Sequence, residues 1–269
     1  MGRSLVEFGT ISIDELTRLS LSDTLRIREA TQLRSLTKVD LLGPQTFPMQ
    51  MTRNISDLFI EGIKYVEQRG SLYGELVGEE EEVLSRSVVS SRWQSFACGR
   101  TCARRALREL GITDAEILRG ERGEPLWPLG ISGAITHCRA FCAAAVARSS
   151  NVAGIGIDAE PNEPLPQGVL PFISNQLESR RLRELPCCST NWDKLLFSIK
   201  ESVYKAWYPI THQWLSWEQV HVEINPDNCI FSADLEVSIQ ECNQAFPRVL
   251  KGRYFTDSSL IVSAVWVLA

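Results

Sequence analysis

One order of elements is written twice along this chain, and that repetition constrains the fold more than any single motif does. Apolar residues recur at spacings of three and four over 84–110 (Val89, Trp93, Phe96, Ala103, Leu107 and Leu110), which predicts a long helix. Gly111 stands where a C-cap glycine belongs. Alternating residues then predict strands over 131–137 and 141–147, joined by a short turn, and a third over 154–160 closed by Pro161. A second helix is predicted over 192–208, with Trp192, Leu195, Leu196, Ile199, Val203 and Ala206 on its apolar face and Pro209 as its stop. Strands follow over 220–224, 229–237, 249–255 and 260–267, separated by turn sequences such as Asn225-Pro226-Asp227-Asn228. A long helix followed by antiparallel strands, twice over, predicts an α+β protein of two similar halves forming a pseudo-symmetric monomer. The expected divisions are an N-terminal extension of unassigned role over 1–50, a first α+β half over 51–153 and a second over 154–269.

Composition narrows the function classes. At 269 residues, 44% hydrophobic and 23% charged, the chain can bury a full core and is neither disordered nor fibrous. Its apolar runs are too short to cross a bilayer, and the early acids Glu7, Asp14 and Glu15 do not suit a targeting peptide, so a cytoplasmic protein without a membrane is expected. The eight cysteines lack the paired C-x-x-C spacing of a zinc site and are expected to be mostly free thiols. The net charge is -5, yet 88–148 holds nine Arg against five acidic residues. An acidic chain that gathers arginine in one segment suits a small polyanion better than a long nucleic acid.

Three local features carry chemistry, and each also has a plain structural reading. In Gly154-Ile155-Gly156-Ile157-Asp158-Ala159-Glu160-Pro161, residues two apart share a strand face, so Asp158 and Glu160 point the same way. They form either a solvated strand end or half of a Mg²⁺ site, since hard oxygen ligands suit that ion. In Lys200-Glu201-Ser202-Val203-Tyr204-Lys205, Glu201 and Lys205 are one helical turn apart. They form either a surface ion pair or a third carboxylate with a phosphate-facing lysine. Thr136-His137 at a strand end either satisfies the core or binds phosphate, and Arg100 and Arg104 either snorkel or hold an anion.

Taken in order, these features resemble the 4'-phosphopantetheinyl transferases. The resemblance is to their monomeric, pseudo-symmetric type that activates siderophore and surfactin synthetases, especially the branch like enterobactin synthetase component D. It runs from about Gly78 to the end and rests on Cys102-Ala103-Arg104-Arg105-Ala106-Leu107, Pro125-Leu126-Trp127-Pro128, Thr136-His137, the Gly-Ile-Asp-Ala-Glu string and Phe197-Ser198-Ile199-Lys200-Glu201-Ser202. It implies Mg²⁺-dependent transfer of the phosphopantetheine arm of coenzyme A to a serine of apo acyl or peptidyl carrier proteins, with release of adenosine 3',5'-bisphosphate. It also implies Asp158, Glu160 and Glu201 as metal ligands, with Glu201 and Lys205 catalytic. Arg100, Arg104, Arg122, Thr136, His137, Lys200 and Lys205 are implied as coenzyme A contacts. The first half would then contact the phosphates, and the second would hold the metal and the catalytic groups. Two rivals are a degenerate coenzyme A-binding or carrier-docking module and a Mg²⁺-dependent nucleotide pyrophosphohydrolase.

Overall fold

The computed structural model describes residues 54–81, 90–237 and 246–269, so the expected extension over 1–50 lies outside the described residues. The first half contains β1 (Lys64–Arg69), α1 (Ser90–Glu109), the short pair β2 (Leu118–Arg119) and β3 (Pro125–Leu126), β4 (Ile131–Cys138) and β5 (Phe141–Arg148). The second contains β6 (Val152–Pro161), α2 (Leu170–Ile173), α3 (Gln176–Glu184), α4 (Trp192–Thr211), β7 (Val220–Asn225), β8 (Ile230–Leu235), β9 (Val249–Thr256) and β10 (Leu260–Leu268). The α+β class read from the sequence is the class observed.

The strands form two main antiparallel sheets, ordered β1-β5-β4 and β6-β10-β9-β8-β7. Side-chain alternation explains how they stack. On β5, Phe141, Ala143, Ala145 and Ala147 enter a core shared with Ile155, Ile157 and Ala159 of β6 and with Val262, Ala264 and Trp266 of β10. The alternate residues Cys142, Ala144 and Val146 pack under α1, against Cys98, Cys102, Ala103, Ala106 and Leu107. Leu195, Leu196, Ile199, Val203, Ala206 and Trp207 of α4 cover the far face of the second sheet, with Phe231, Ala233, Tyr254 and Val265. The order of layers is therefore helix, sheet, sheet, helix. Covered on both faces, β5 is apolar up to the exposed Arg148. Each large aliphatic side chain buried here contributes about 1.5–3 kcal/mol.

Three details differ from the sequence expectation. The helix α4 does not stop at Pro209 but runs to Thr211. A proline in the last turn forfeits a single hydrogen bond, and His212, at φ 53, closes the helix by donating its N–H to the Tyr208 carbonyl at 2.8 Å. Trp93 is not core but 42% exposed on α1. β1 escaped sequence reading because Lys64, Glu67, Gln68 and Arg69 break its apolar alternation, yet it pairs along β5 from Lys64↔Val146 to Arg69↔Phe141. The two sheets have three and five strands among the described residues, so strand count does not carry the expected symmetry between the halves.

Candidate active site

The site begins with two glycines on β6. A Cβ built on Gly156 would lie 1.7 Å from the Ser202 carbonyl oxygen, and one on Gly154 would lie 2.6 Å from Ile210 and 3.0 Å from the Ala206 carbonyl oxygen. The helix backbone thus lies directly on the strand. The small residues Ser198, Ser202 and Ala206, one turn apart on α4, make the approach possible from the other side. Ser198 fixes the register. Its Oγ donates to the Asp158 carbonyl at 3.4 Å and meets Ser263 Oγ of β10 at 2.9 Å. The glycines of the Gly-Ile-Gly-Ile-Asp string therefore serve helix approach. Their consequence is that Asp158 pairs with Lys205 of α4, while Glu160 and Glu201 lie near enough to act on the pair through their charge.

The electrostatics of this meeting are those of crowded carboxylates. Lys205 Nζ donates to Asp158 Oδ1 at 2.8 Å and to the Ile157 carbonyl at 3.2 Å. Asp158 Oδ2 is buried with no hydrogen-bond partner. Burial first, and then the Asp158 charge, push Glu201 up to about 7; its Oε1 accepts from Trp217 Nε1 at 3.3 Å. Burial and the Asp158 charge push Glu160 up to about 8, with Glu201 adding to the rise and Lys194, 3.6 Å away, opposing it. Burial works against the Lys205 ammonium, but Asp158, Glu201 and Glu160 outweigh it, and its pKa is raised. Three acids and one lysine thus form a single electrostatic unit. An orphaned carboxylate oxygen beside two carboxylates that bind protons near neutrality has the donor chemistry of a hard divalent cation site.

The edge strand β4 faces this unit from the first half. His137 lies at the rim, its pKa lowered by desolvation of the ring first and then by Lys205, with Arg100 and Arg92 adding positive charge and Asp158 opposing them. Arg100 lies over the Phe96 ring, and its Nε and Nη2 donate to the Ile117 and Leu118 carbonyls at 2.8 and 3.3 Å. Thr136 is buried and its Oγ1 accepts from the Ala159 N–H at 2.9 Å, so it stitches β4 to β6 beside the acids. A cavity of about 240 Å³ continues along the same seam, between Trp127 and Gly133 on one side and Gly154, Pro209 and His212 on the other.

Three residues implied by the resemblance do not join this cluster. The Lys200 ammonium is buried on another side of α4, where it donates to Glu178 Oε2 and the Trp217 carbonyl, both at 2.9 Å. Glu178 also accepts from the Val222 N–H at 2.8 Å, so this buried pair ties α3, α4 and β7 together. Arg104 gives its guanidinium to the buried Glu80 and to the Glu75 carbonyl. The anion demanded by an inward-facing arginine is supplied from within the chain. Arg122 lies in the exposed turn before β3, where its charge is felt at Tyr204. In their place the structure brings in Lys194 and Trp217, whose polar atoms reach Glu160 and Glu201 from α4 and the turn before β7, and the Arg92 charge is felt at His137. Lys194 was legible as one of three lysines on α4, but nothing in the sequence gave its direction.

Comparison with known proteins fits this geometry. The model of the 4'-phosphopantetheinyl transferase N-terminal domain matches residues 79–147, and that of the 4'-phosphopantetheinyl transferase superfamily matches residues 154–248. The 4'-phosphopantetheinyl transferase Svp of Streptomyces mobaraensis is 41% identical over 196 residues, which cover 72% of this chain and 80% of that protein. The chain belongs to the 4'-phosphopantetheinyl transferases. The transferase PptT of Mycobacterium tuberculosis is 37% identical, over 70% of this chain and 84% of its own. Enterobactin synthase component D of Escherichia coli K12 is 31% identical, over 52% and 69%. The two family models meet between residues 147 and 154, where β5 passes to β6, and the carboxylates and Lys205 all fall in the second.

Proposed function

We propose that this transferase moves the phosphopantetheine arm of coenzyme A onto a serine hydroxyl of an apo acyl or peptidyl carrier protein. The observation that carries the reading is the pairing of Asp158 with Lys205 inside the field of Glu160 and Glu201, with His137 at the rim. In the reaction the serine oxygen attacks the β-phosphorus of coenzyme A. A new P–O bond forms, the bond to the α-phosphate oxygen breaks, and adenosine 3',5'-bisphosphate leaves.

Asp158, Glu160 and Glu201 would hold Mg²⁺. Bound there, the ion would neutralise pyrophosphate charge as it shifts to the leaving group. Glu201 is placed to draw off the serine proton, directly or through a water on the ion. Lys205 meets the phosphate charge from the same helix face, while His137 at the rim orients the nucleotide end. Intact-mass measurement of an apo carrier incubated with coenzyme A and Mg²⁺ tests the reading. Gain of one phosphopantetheine unit supports it, whereas release of the nucleotide without carrier would favour the pyrophosphohydrolase.

Lys205→Ala should lower kcat about a hundredfold, as loss of one preorganised charge does, and move the KM for coenzyme A much less. A raised KM with unchanged kcat would leave Lys205 a binding role only.

The raised carboxylates also set a pH dependence. Folded pKa values near 8 and 7, against 4.5 ordinarily, mean that the metal-free fold retains protons which the unfolded chain has lost. Stability of the metal-free protein should therefore fall as pH rises from about 4.5 to 8. His137, with its lowered pKa, runs the other way around pH 6.5, but it is one group against two. In chelator, Tm should be lower at pH 8 than at pH 5.5, and Mg²⁺ should close the gap. A gap of the same size in Glu160→Gln/Glu201→Gln would contradict the assignment.

A further inference from the structure

Away from the active site, three thiols converge beneath α1. Cys98 and Cys102 lie one turn apart on the inner face of α1, and Cys142 rises from β5 to meet them. All three are fully buried, and their sulfurs lie within 4.8 Å of one another. Gly99 lies beside the cluster, where a Cβ would press on Ile135 at 2.8 Å. The sequence spacing hides the cluster, because the third member crosses from another element. The thiols have only weak partners. Cys98 Sγ donates to Gln68 Oε1 at 3.3 Å, and Cys102 and Cys142 reach backbone carbonyls at 3.9 Å.

We propose that Cys98, Cys102 and Cys142 form a three-sulfur site for a thiophilic, three-coordinate centre, specifically trivalent arsenic. Trivalent arsenic bonded to all three at about 2.3 Å is pyramidal and needs sulfurs about 3.5 Å apart, so sulfurs within 4.8 Å of one another close on it by moving together by at most about 1.3 Å. Charge decides the class of centre. The surroundings are apolar, with Ala103, Ala144 and Ile135 among them. Zinc would require thiolates and a fourth ligand, leaving net charge in this core. Arsenous acid is neutral, and so is its product. Three S–H and three As–O bonds break, three As–S bonds form and three waters leave, with arsenic trivalent throughout and no oxidant needed. The centre would staple α1 to β5. Since the thiols are buried, uptake requires local opening of α1 and is slow.

The test uses the full chain carrying Cys187→Ser and Cys188→Ser, which removes the exposed neighbouring thiols that would compete. The protein is incubated at length with arsenite under a phosphine reductant and then gel-filtered. The account predicts one retained arsenic per chain, three sulfur neighbours by X-ray absorption, and a raised Tm. Adding Cys102→Ala should weaken retention by more than the roughly 10–100-fold that loss of a supporting residue costs. No retained arsenic, oxygen in its coordination shell, or equal retention in Cys102→Ala would overturn the proposal. So would zinc retained on three sulfurs in a parallel incubation. Should Cys102→Ala not fold, the coordination measured on the parent decides alone.

Discussion

Asp158→Ala removes phosphopantetheine transfer while the protein stays folded. The side chain holds the orphaned oxygen, pairs with Lys205 and raises the pKa of both neighbouring acids, so it sits at the centre of the proposed metal site. A lost Lewis-acid contribution of several kcal/mol is about a thousandfold in rate. The fold should tolerate the change, because Glu160 and Glu201 remain to compensate Lys205 and no apolar packing is lost. Intact-mass assay of carrier modification beside thermal denaturation checks both halves. Transfer at the wild-type rate with Mg²⁺ present would remove Asp158 from the chemistry.

Gly156→Ala should be the most damaging single methyl group in the protein. Its Cβ would stand 1.7 Å from the Ser202 carbonyl oxygen and 3.0 Å from the Ala206 N, both backbone atoms that cannot rotate aside. The helix α4 must lift from β6, at a cost of about 3 kcal/mol. For a chain of this size that lowers Tm by about 10 °C. The displacement also moves Glu201 and Lys205 away from Asp158, so transfer should fall even where the variant remains folded. Melting and the carrier assay measure the two effects; a variant that matched wild type in both would show that the close approach of helix and strand is not what builds the site.

The contrast between these two positions shows what was legible in the sequence. Period-two alternation placed Asp158 and Glu160 on one strand face, and helical spacing placed Glu201 beside Lys205, because both follow from local geometry. The apolar face of α4 was readable for the same reason. Long-range pairing was not. Glu80, Arg104's partner, lies in a different element, and Lys200 finds Glu178 across the second half; neither pairing has a local signature. Thr136 was read as a phosphate donor because its strand-end position was visible and the Ala159 N–H beside it was not. The glycines of β6 carry no role that is visible locally, and only packing shows them to be the contact surface for α4. Arg92 was hidden because its charge matters through His137, far along the chain.

The central claim is that Asp158, Glu160 and Glu201 bind one divalent cation together. Titration with Mn²⁺, followed by electron paramagnetic resonance in the presence of coenzyme A, tests it most directly. The account predicts one Mn²⁺ per chain, displaced by Mg²⁺ and lost in Asp158→Asn. Mn²⁺ bound to Asp158→Asn as tightly as to the wild type would contradict it.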